Sequence, residues 1–465
     1  MIKHWFAVIV IGCGMACGRP TLPQPQSPTA DIDCLVTDIW SKLPILGAVC
    51  AINNQSVITN ADGYGLLLKF PFGAYDMTIT KDGYEPGTYH FEVMGNYRLR
   101  VALTPVKPNT GEPLVPLHAD DAGFRRPDGS VYHGAGITDF ALYGKFLDSV
   151  DIGPVLTDRV RLGFKSVRVF GMWDSGYRLY PQEHTDFYTR LPAFSSELAS
   201  YGLRLEFVVF ADAQIIMPDE EAERTHILAV VQAFAGAWNV FIEVGNECFK
   251  NIPGGDMQCQ RLGQLVLPNG GLVSFGSVEM GPFPPIAQGN YGTHHTERSW
   301  DWPRKAKDIY DVWSVTHVPF IADEPIGAAE VEVPGRRTAN AADYRQYAAN
   351  AALYGGFTFH CDLCITSDVL IGLQREIALA AIQGFNFVPS EAPWWPYQRG
   401  GEDDGPGVGN IPVLHRDNLE LRTYCKGNGT HAWCVQTRTT RETAIARDDW
   451  HIVAQPWRGF VELER

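Results

Sequence analysis

Residues 240–247 read Val-Phe-Ile-Glu-Val-Gly-Asn-Glu, an apolar run over Val240–Val244 that ends on Gly245, Asn246 and Glu247. A run of this kind is a buried parallel strand that hands an amide and a carboxylate to the loop at its C-terminal end. The same form recurs to either side. Gly136–Leu142, Ser166–Phe170 and Arg204–Phe210 precede it; Leu272–Phe275, Gly289–Thr293, Phe320–Ala322 and Gly356–Phe359 follow. Helical patterns such as Glu221–Phe234, Ala341–Leu353 and Asp368–Ile382 separate these strands. Strand and helix in alternation argue for a parallel sheet, and eight such strands are the number a closed (β/α)8 TIM barrel needs. The barrel is predicted over 117–392.

The flanks have other textures. Over 33–105, short alternating strands are broken by Asp62-Gly63-Tyr64-Gly65, Pro71-Phe72-Gly73 and Asp82-Gly83-Tyr84, with no helical period. This predicts a small seven-strand-like β-sandwich. Pro44–Ala48, Thr59–Tyr64, Gly73–Tyr75 and Lys81–Tyr84 together resemble the carboxypeptidase-regulatory-like domains of exported bacterial proteins, which implies a rigid spacer or a carbohydrate- or partner-binding module. Residues 393–465 open on Trp394-Trp395, read as a domain interface, and pass through a Gly/Asp-rich loop. They then alternate over Glu420–Cys425 and Trp433–Thr437, which predicts a small β-rich module. The turn at Asn428-Gly429 would set Cys425 opposite Cys434.

At the N-terminus, a cationic start, the apolar stretch Trp5–Ile11 and small residues up to Cys17 predict a secretory signal over 1–17. Val10-Ile11-Gly12-Cys13 resembles the cleavage box of bacterial lipoproteins, whose cysteine is acylated; Gly14-Met15-Ala16-Cys17 is a second, poorer match. Residues 18–32, with Pro20, Pro23, Pro25 and Pro28, read as an extended tether. Apart from Cys13 and Cys17, the cysteines form neighbouring pairs: Cys34/Cys50, Cys248/Cys259, Cys361/Cys364 and Cys425/Cys434. In an exported chain these are disulfide candidates. Lipidation at Cys17 leaves no thiol over, whereas lipidation at Cys13 leaves Cys17. The expected setting is the cell envelope, with the membrane reached through an N-terminal lipid.

The chain's 465 residues are 45% hydrophobic and 20% charged, too many for one core and too apolar for disorder. Asp+Glu total 53 against Lys+Arg 38, a net charge of −15 that repels phosphate backbones, so nucleic acid is not expected as a partner. Acidic polymers such as pectin are disfavoured for the same reason unless a local patch overrides it.

Reactive groups of a barrel stand at the C-terminal ends of its strands. Those ends supply Asp139, Arg168, Trp173, Asp212, Asn246-Glu247, Tyr291, His294-His295, Asp323-Glu324 and His360. Glu247 and Glu324 thus emerge from strands on opposite sides of one mouth. Facing carboxylates serve glycosidic cleavage: one must be protonated to donate to the leaving oxygen, the other ionised to attack the anomeric carbon. A cation such as Arg168 would keep the second ionised, while burial and like charge would raise the pKa of the first.

Asn246-Glu247 ending strand four, Tyr291 and His295 after strand six and Glu324 ending strand seven resemble the clan A retaining glycoside hydrolases. That resemblance implies Glu247 as acid/base and Glu324 as nucleophile. It implies Asn246 as the ligand of the sugar 2-hydroxyl, Arg168 as the arginine beside the nucleophile, and Tyr291 and His295 as positioning groups. Where the clan offers a tryptophan at the end of strand eight, this chain has Phe359 and His360. Trp173 and His360 are candidate substrate contacts, and Tyr177, Phe249, Trp300 and Trp302 are further loop aromatics. The predicted function is hydrolysis of a poly- or oligosaccharide with retention and no cofactor or metal. Two rivals stand beside it: a non-catalytic carbohydrate-binding surface lipoprotein on a degenerate barrel, and a metal hydrolase using the histidines with Asp323.

Overall fold

Barrel strands two, Ser166–Phe170, and three, Arg204–Phe210, are buried at every position. Their runs are mainly apolar, with Arg168, Arg204 and Glu206 among the exceptions, because a parallel strand is covered on both faces, by helices outside and by the barrel interior within. The computed structural model describes residues 28–39, 42, 44–104, 106–120, 123–174, 178–269, 271–278, 289–295, 318–323, 339–353, 355–360, 368–389, 413–415, 423–427, 430–436, 444–446, 449–457 and 459–465. The remaining barrel strands are Ala135–Thr138 (one), Val240–Gly245 (four), Gly292–His294 (six), Phe320–Ala322 (seven) and Gly355–Phe359 (eight). Strand five is broken: Leu272–Ser274 pairs with strand four and Ser277–Val278 with strand six, all in parallel. Between the halves lies Gly276 at φ +132°, a conformation open to glycine. Both ends of the ordered sheet therefore fall on strand five, and the sheet closes into an eight-stranded parallel barrel.

Helices flank the strands at the expected places. Glu220–Ala233 follows strand three, with Asp219 accepting from the Ala222 amide at its N-cap. Ala341–Ala352 follows strand seven behind a capping box of Asn340 and Asp343. Gly372–Phe385 follows strand eight and presses on that helix: a Cβ on Gly384 would fall 1.9 Å from the Arg345 carbonyl oxygen.

The N-terminal end of the barrel is stoppered by a small antiparallel sheet of His118–Asp120, Gly123–Arg125 and Val131–Tyr132. Its Phe124 and Tyr132 pack on Phe241 at 6.0 and 6.4 Å between ring centroids, and Phe124 meets Tyr291 at 5.8 Å. This stopper corrects the expected position of Tyr291. Strand six begins at Gly292, later than the predicted Gly289, so Tyr291 precedes the strand. It is buried at the floor of the barrel instead of following the strand at the mouth.

The chain divides into two compact units after Thr104. In the first, the strands Thr29–Asp38, Tyr64–Pro71 and Tyr97–Leu103 form one sheet. Val49–Ile52, Gln55–Ile58, Gly73–Thr80 and Gly87–Val93 form another. Alternate residues such as Ile32, Cys34, Val36, Cys50, Met77 and Ile79 share one apolar core. The first strand starts inside the stretch read as a tether. Cys34 and Cys50 are a correction: their sulphurs meet 2.7 Å apart in this core, but both are free thiols, behaving as small apolar side chains.

In the second unit, Thr423–Gly427, His431–Gln436, His451–Ala454 and Phe460–Glu464 form a C-terminal antiparallel sheet. Cys425 and Cys434 are directly opposed in register and joined by a disulfide. Val435 and Phe460 of this sheet belong to the barrel's own core, which makes the C-terminal segment part of the barrel unit. Among the described residues no helix is long and apolar enough to cross a membrane. Cys13, Cys17, Cys361, Cys364, Tyr177, Trp300, Trp302, Glu324, Trp394 and Trp395 lie outside the described residues.

Candidate active site

The barrel interior is polar along its axis, where such barrels usually stack branched apolar side chains. Above the aromatic floor, Tyr291 donates from its hydroxyl to Glu206 Oε1 at 3.1 Å. Burial, and then the charge of Glu243, push the Glu206 carboxyl up to about 8, so it is protonated at neutral pH. The next layer is an ion pair without solvent access. Arg168 donates from Nε to Glu243 Oε2 at 2.7 Å and from Nη2 to Glu243 Oε1 at 2.8 Å. This forked geometry fixes the guanidinium plane.

From that fixed position Arg168 reaches the C-terminal ends of two strands. Its Nη2 donates to Asn246 Oδ1 at 2.9 Å, and its Nε lies 3.3 Å from Asp323 Oδ2. The first contact settles the orientation of the Asn246 amide. With Oδ1 taken by Arg168, the Nδ2 donor is the face left for the mouth. Asn251 Nδ2 donates to the Asn246 carbonyl at 2.7 Å, and the Asn246 amide donates to the Phe210 carbonyl at 2.8 Å, so its backbone is held from both sides.

Glu247 stands one residue further out, at φ +45° and ψ +60°. Left-handed backbone at a non-glycine residue costs on the order of 1–3 kcal/mol and collects at functional sites. The strain aims the carboxylate at Lys250 and His295. Lys250 Nζ lies 2.7 Å from Glu247 Oε1, and His295 Nδ1 lies 3.9 Å from the same oxygen. Burial pushes the Glu247 carboxyl up, but its bonding to His295 and Lys250 outweighs this and holds it well below the ordinary range. This overturns the expectation of a raised pKa, and the reason is His295 together with Lys250, one helical turn on.

His295, at the end of strand six, spans the mouth. Its Nε2 lies 3.3 Å from Asp323 Oδ1 while its Nδ1 faces Glu247. Strand ends four and seven are therefore bridged twice, by Arg168 below and by His295 above. Its neighbour His294 is pushed down to about 3 by burial and stays neutral in the core, away from this chemistry.

Glu243, His295 and Asp323 offer ligand atoms all within 4.8 Å of one another, the spread of a metal site. Arg168, though, already lies on both carboxylates. A divalent ion would share its cavity with a fixed cation, so the group is better described as an ion-pair cluster around Arg168 than as a metal cage.

One wall of the mouth is aromatic. Phe140 stacks on Phe170 at 4.3 Å and meets Trp173 at 5.4 Å and His360 edge-on at 5.2 Å. Phe140 and Trp173 are half-buried and can face a ligand. His360, at the end of strand eight, is buried against Phe140. Asp139 is likewise withdrawn, paired with Arg159 at 2.8 Å. On the other side Phe249 is exposed beside Lys250, whose Nζ lies 5.2 Å from the ring centroid.

Of the residues singled out from sequence, Arg168, Asn246, Glu247 and His295 converge, whereas Tyr291 lies at the floor of the barrel. Glu243, Glu206 and Lys250 were missed. The available signal was a charged residue inside an otherwise apolar strand, as in Val240–Gly245, and a lysine three residues after a carboxylate.

No family model and no curated protein matches this sequence. Solved structures do. The chain aligns with a candidate glycoside hydrolase of Bacteroides vulgatus ATCC 8482 at TM-score 0.51 and 12% identity, covering 87% of this chain and 82% of that one. A second protein, named simply a glycoside hydrolase, aligns at 0.50 and 9% identity, covering 69% and 83%. A glycoside hydrolase family 5 protein of Bacteroides vulgatus ATCC 8482 aligns at 0.47 and 11%, covering 70% and 80%. At these identities the likeness of the first two is one of fold, and it is the parallel eight-stranded barrel described above.

Proposed function

We propose that the protein is a retaining glycoside hydrolase acting on a poly- or oligosaccharide. The observation that carries this reading is the convergence of the ends of strands four and seven on Arg168 and His295, with Asn246-Glu247 on one side and Asp323 on the other. Glu324, next in sequence to Asp323, is the proposed nucleophile, and Glu247 the acid/base.

In the first step a Glu324 carboxylate oxygen bonds to the anomeric carbon. The bond to the leaving oxygen breaks and Glu247 gives that oxygen its proton. In the second step Glu247 takes a proton from water, whose oxygen attacks the same carbon and releases Glu324. Two inversions give net retention. Asn246 Nδ2 donates to the sugar 2-hydroxyl in this scheme, and the aromatic wall of Phe140 and Trp173 stacks on a ring face. Glu247 needs its proton before the first step. A seated sugar favours the protonated form by displacing water from the carboxyl, which raises its pKa. Disulfides at Cys248–Cys259 and Cys425–Cys434 support an exported setting, with a lipid at Cys17 or Cys13 as the proposed anchor.

The test is a panel of aryl glycosides and polysaccharides offered to the wild type, Glu247→Ala, Glu324→Ala and Asp323→Ala. Turnover by the wild type and its loss by about 10³-fold or more in both glutamate variants are expected. Absence of turnover on every substrate, with glycan binding untouched by either glutamate change, would make it a binding protein on a degenerate barrel.

A further inference from the structure

The turn that carries Glu247 is tied by a disulfide, Cys248–Cys259, to the helix Gly255–Val266 that follows it. Both cysteines are buried, and the bridge lies between the ends of strands four and five. A Cβ on Gly245 would fall 2.9 Å from the Cys259 sulphur and 3.0 Å from that of Cys248. One on Gly276 would fall 2.4 Å from the Cys248 sulphur. Two glycines, one closing strand four and one in the break of strand five, thus leave the space that the bridge fills.

Glu247 is bonded directly to this anchor. It holds a left-handed backbone that a residue with a Cβ leaves readily for the helical or extended regions. The helix after it, Cys248–Asn251, is a single turn and too short to persist by its own propensity. Local bonds contribute: the Glu247 carbonyl accepts from the amides of Lys250 at 2.8 Å and Asn251 at 3.1 Å. These bonds all close within the turn, so they move with it. The bridge to Cys259 is the covalent link from the turn to a long helix of the barrel.

We propose that the Cys248–Cys259 disulfide is a positioning clamp that holds the Glu247 carboxylate over the mouth. It rests on the reading of Glu247 as acid/base. The clamp acts on proton transfer in both steps and not on substrate binding, so its loss lowers kcat, and lowers kcat/KM where the leaving group needs a proton. A displacement of about 1 Å at a catalytic group costs on the order of 10²-fold.

The experiment compares wild type with the double variant Cys248→Ser/Cys259→Ser on aryl glycosides of graded leaving-group pKa. The control is Cys425→Ser/Cys434→Ser, which removes a bridge between two paired strands. The expected result is a loss of kcat/KM, which reports the first step, of about 10²-fold for poor leaving groups, shrinking toward none for dinitrophenolate, which departs without a proton; kcat falls with every leaving group, because Glu247 also serves as base in the second step. The control is expected to lose thermal stability with kcat unchanged. An equal loss of kcat/KM across all leaving groups, or no loss, would overturn the clamp. If the serine pair does not fold, Cys248→Ala/Cys259→Val supplies an apolar substitute. Should the wild type hydrolyse nothing, it is the enzymatic reading that fails. Amide hydrogen exchange over 246–252 then decides the clamp, which requires faster exchange without the bridge and is refuted by unchanged exchange.

Discussion

At the scale of single residues, Glu247 as the proposed acid/base faces two opposed demands: that role requires it to hold a proton, yet its neighbours favour the ionised form. Lys250 is the neighbour that can be removed without touching the barrel interior, since half its side chain is in solvent. Replacing it as Lys250→Gln takes away a charge 2.7 Å from the carboxylate. The expected effect on the pH profile of kcat/KM is a shift of the alkaline limb upward by about half a unit, the size of an exposed ion pair. An unmoved limb would mean that Lys250 does not tune the acid. Glu206 titrates the other way. Its carboxyl, raised to about 8 from an unfolded value near 4.5, binds a proton in the folded chain that the unfolded chain has already lost. Its contribution to stability is therefore complete below pH 4.5 and is lost as pH rises through 8. Glu206→Gln, which copies the protonated form, is expected to flatten the dependence of Tm on pH across that window. An unchanged slope would show that Glu206 is already ionised.

At the scale of elements, strands two and four are coupled through Arg168 and Glu243, both without solvent access. Truncating one partner leaves the other charged, buried and uncompensated. Glu243→Ala is expected to cost about 3–5 kcal/mol in urea unfolding, and to release the Asn246 amide that Arg168 orients. A cost below about 1 kcal/mol would mean the pair is not desolvated as described. The strands themselves were legible in the sequence. Ser166–Phe170, Arg204–Phe210 and Phe320–Ala322 have the bounds read from their apolar runs, because burial on both faces leaves little room for polar residues. Strand six was not. Its start was read three residues early at a glycine, and that shift alone moved Tyr291 from the floor to the mouth. The polar layers were invisible for a related reason: in a parallel strand both faces look apolar, so no alternation shows that Glu206 and Glu243 point inward.

At the scale of the whole chain, the barrel and the division from a smaller all-β unit could be read because each has its own hydrophobic period. The stopper sheet over 118–132 could not, since its strands are only two or three residues long. Nor could the Cys34/Cys50 thiols be told from a disulfide by pairing cysteines in sequence. The convergence of Arg168, Asn246, Glu247 and His295 was foreseen from strand-end position and from the clan A resemblance, while the electrostatics that govern Glu247 depend on Lys250 and had to be seen. The account as a whole stands on Glu247 being the acid/base of a double displacement. Its most direct test is Glu247→Ala acting on an activated aryl glycoside in the presence of azide. The small anion needs no general base, so it should restore turnover and yield a glycosyl azide of the same anomeric configuration as the substrate. No rescue, or an azide of inverted configuration, would contradict a covalent intermediate served by Glu247.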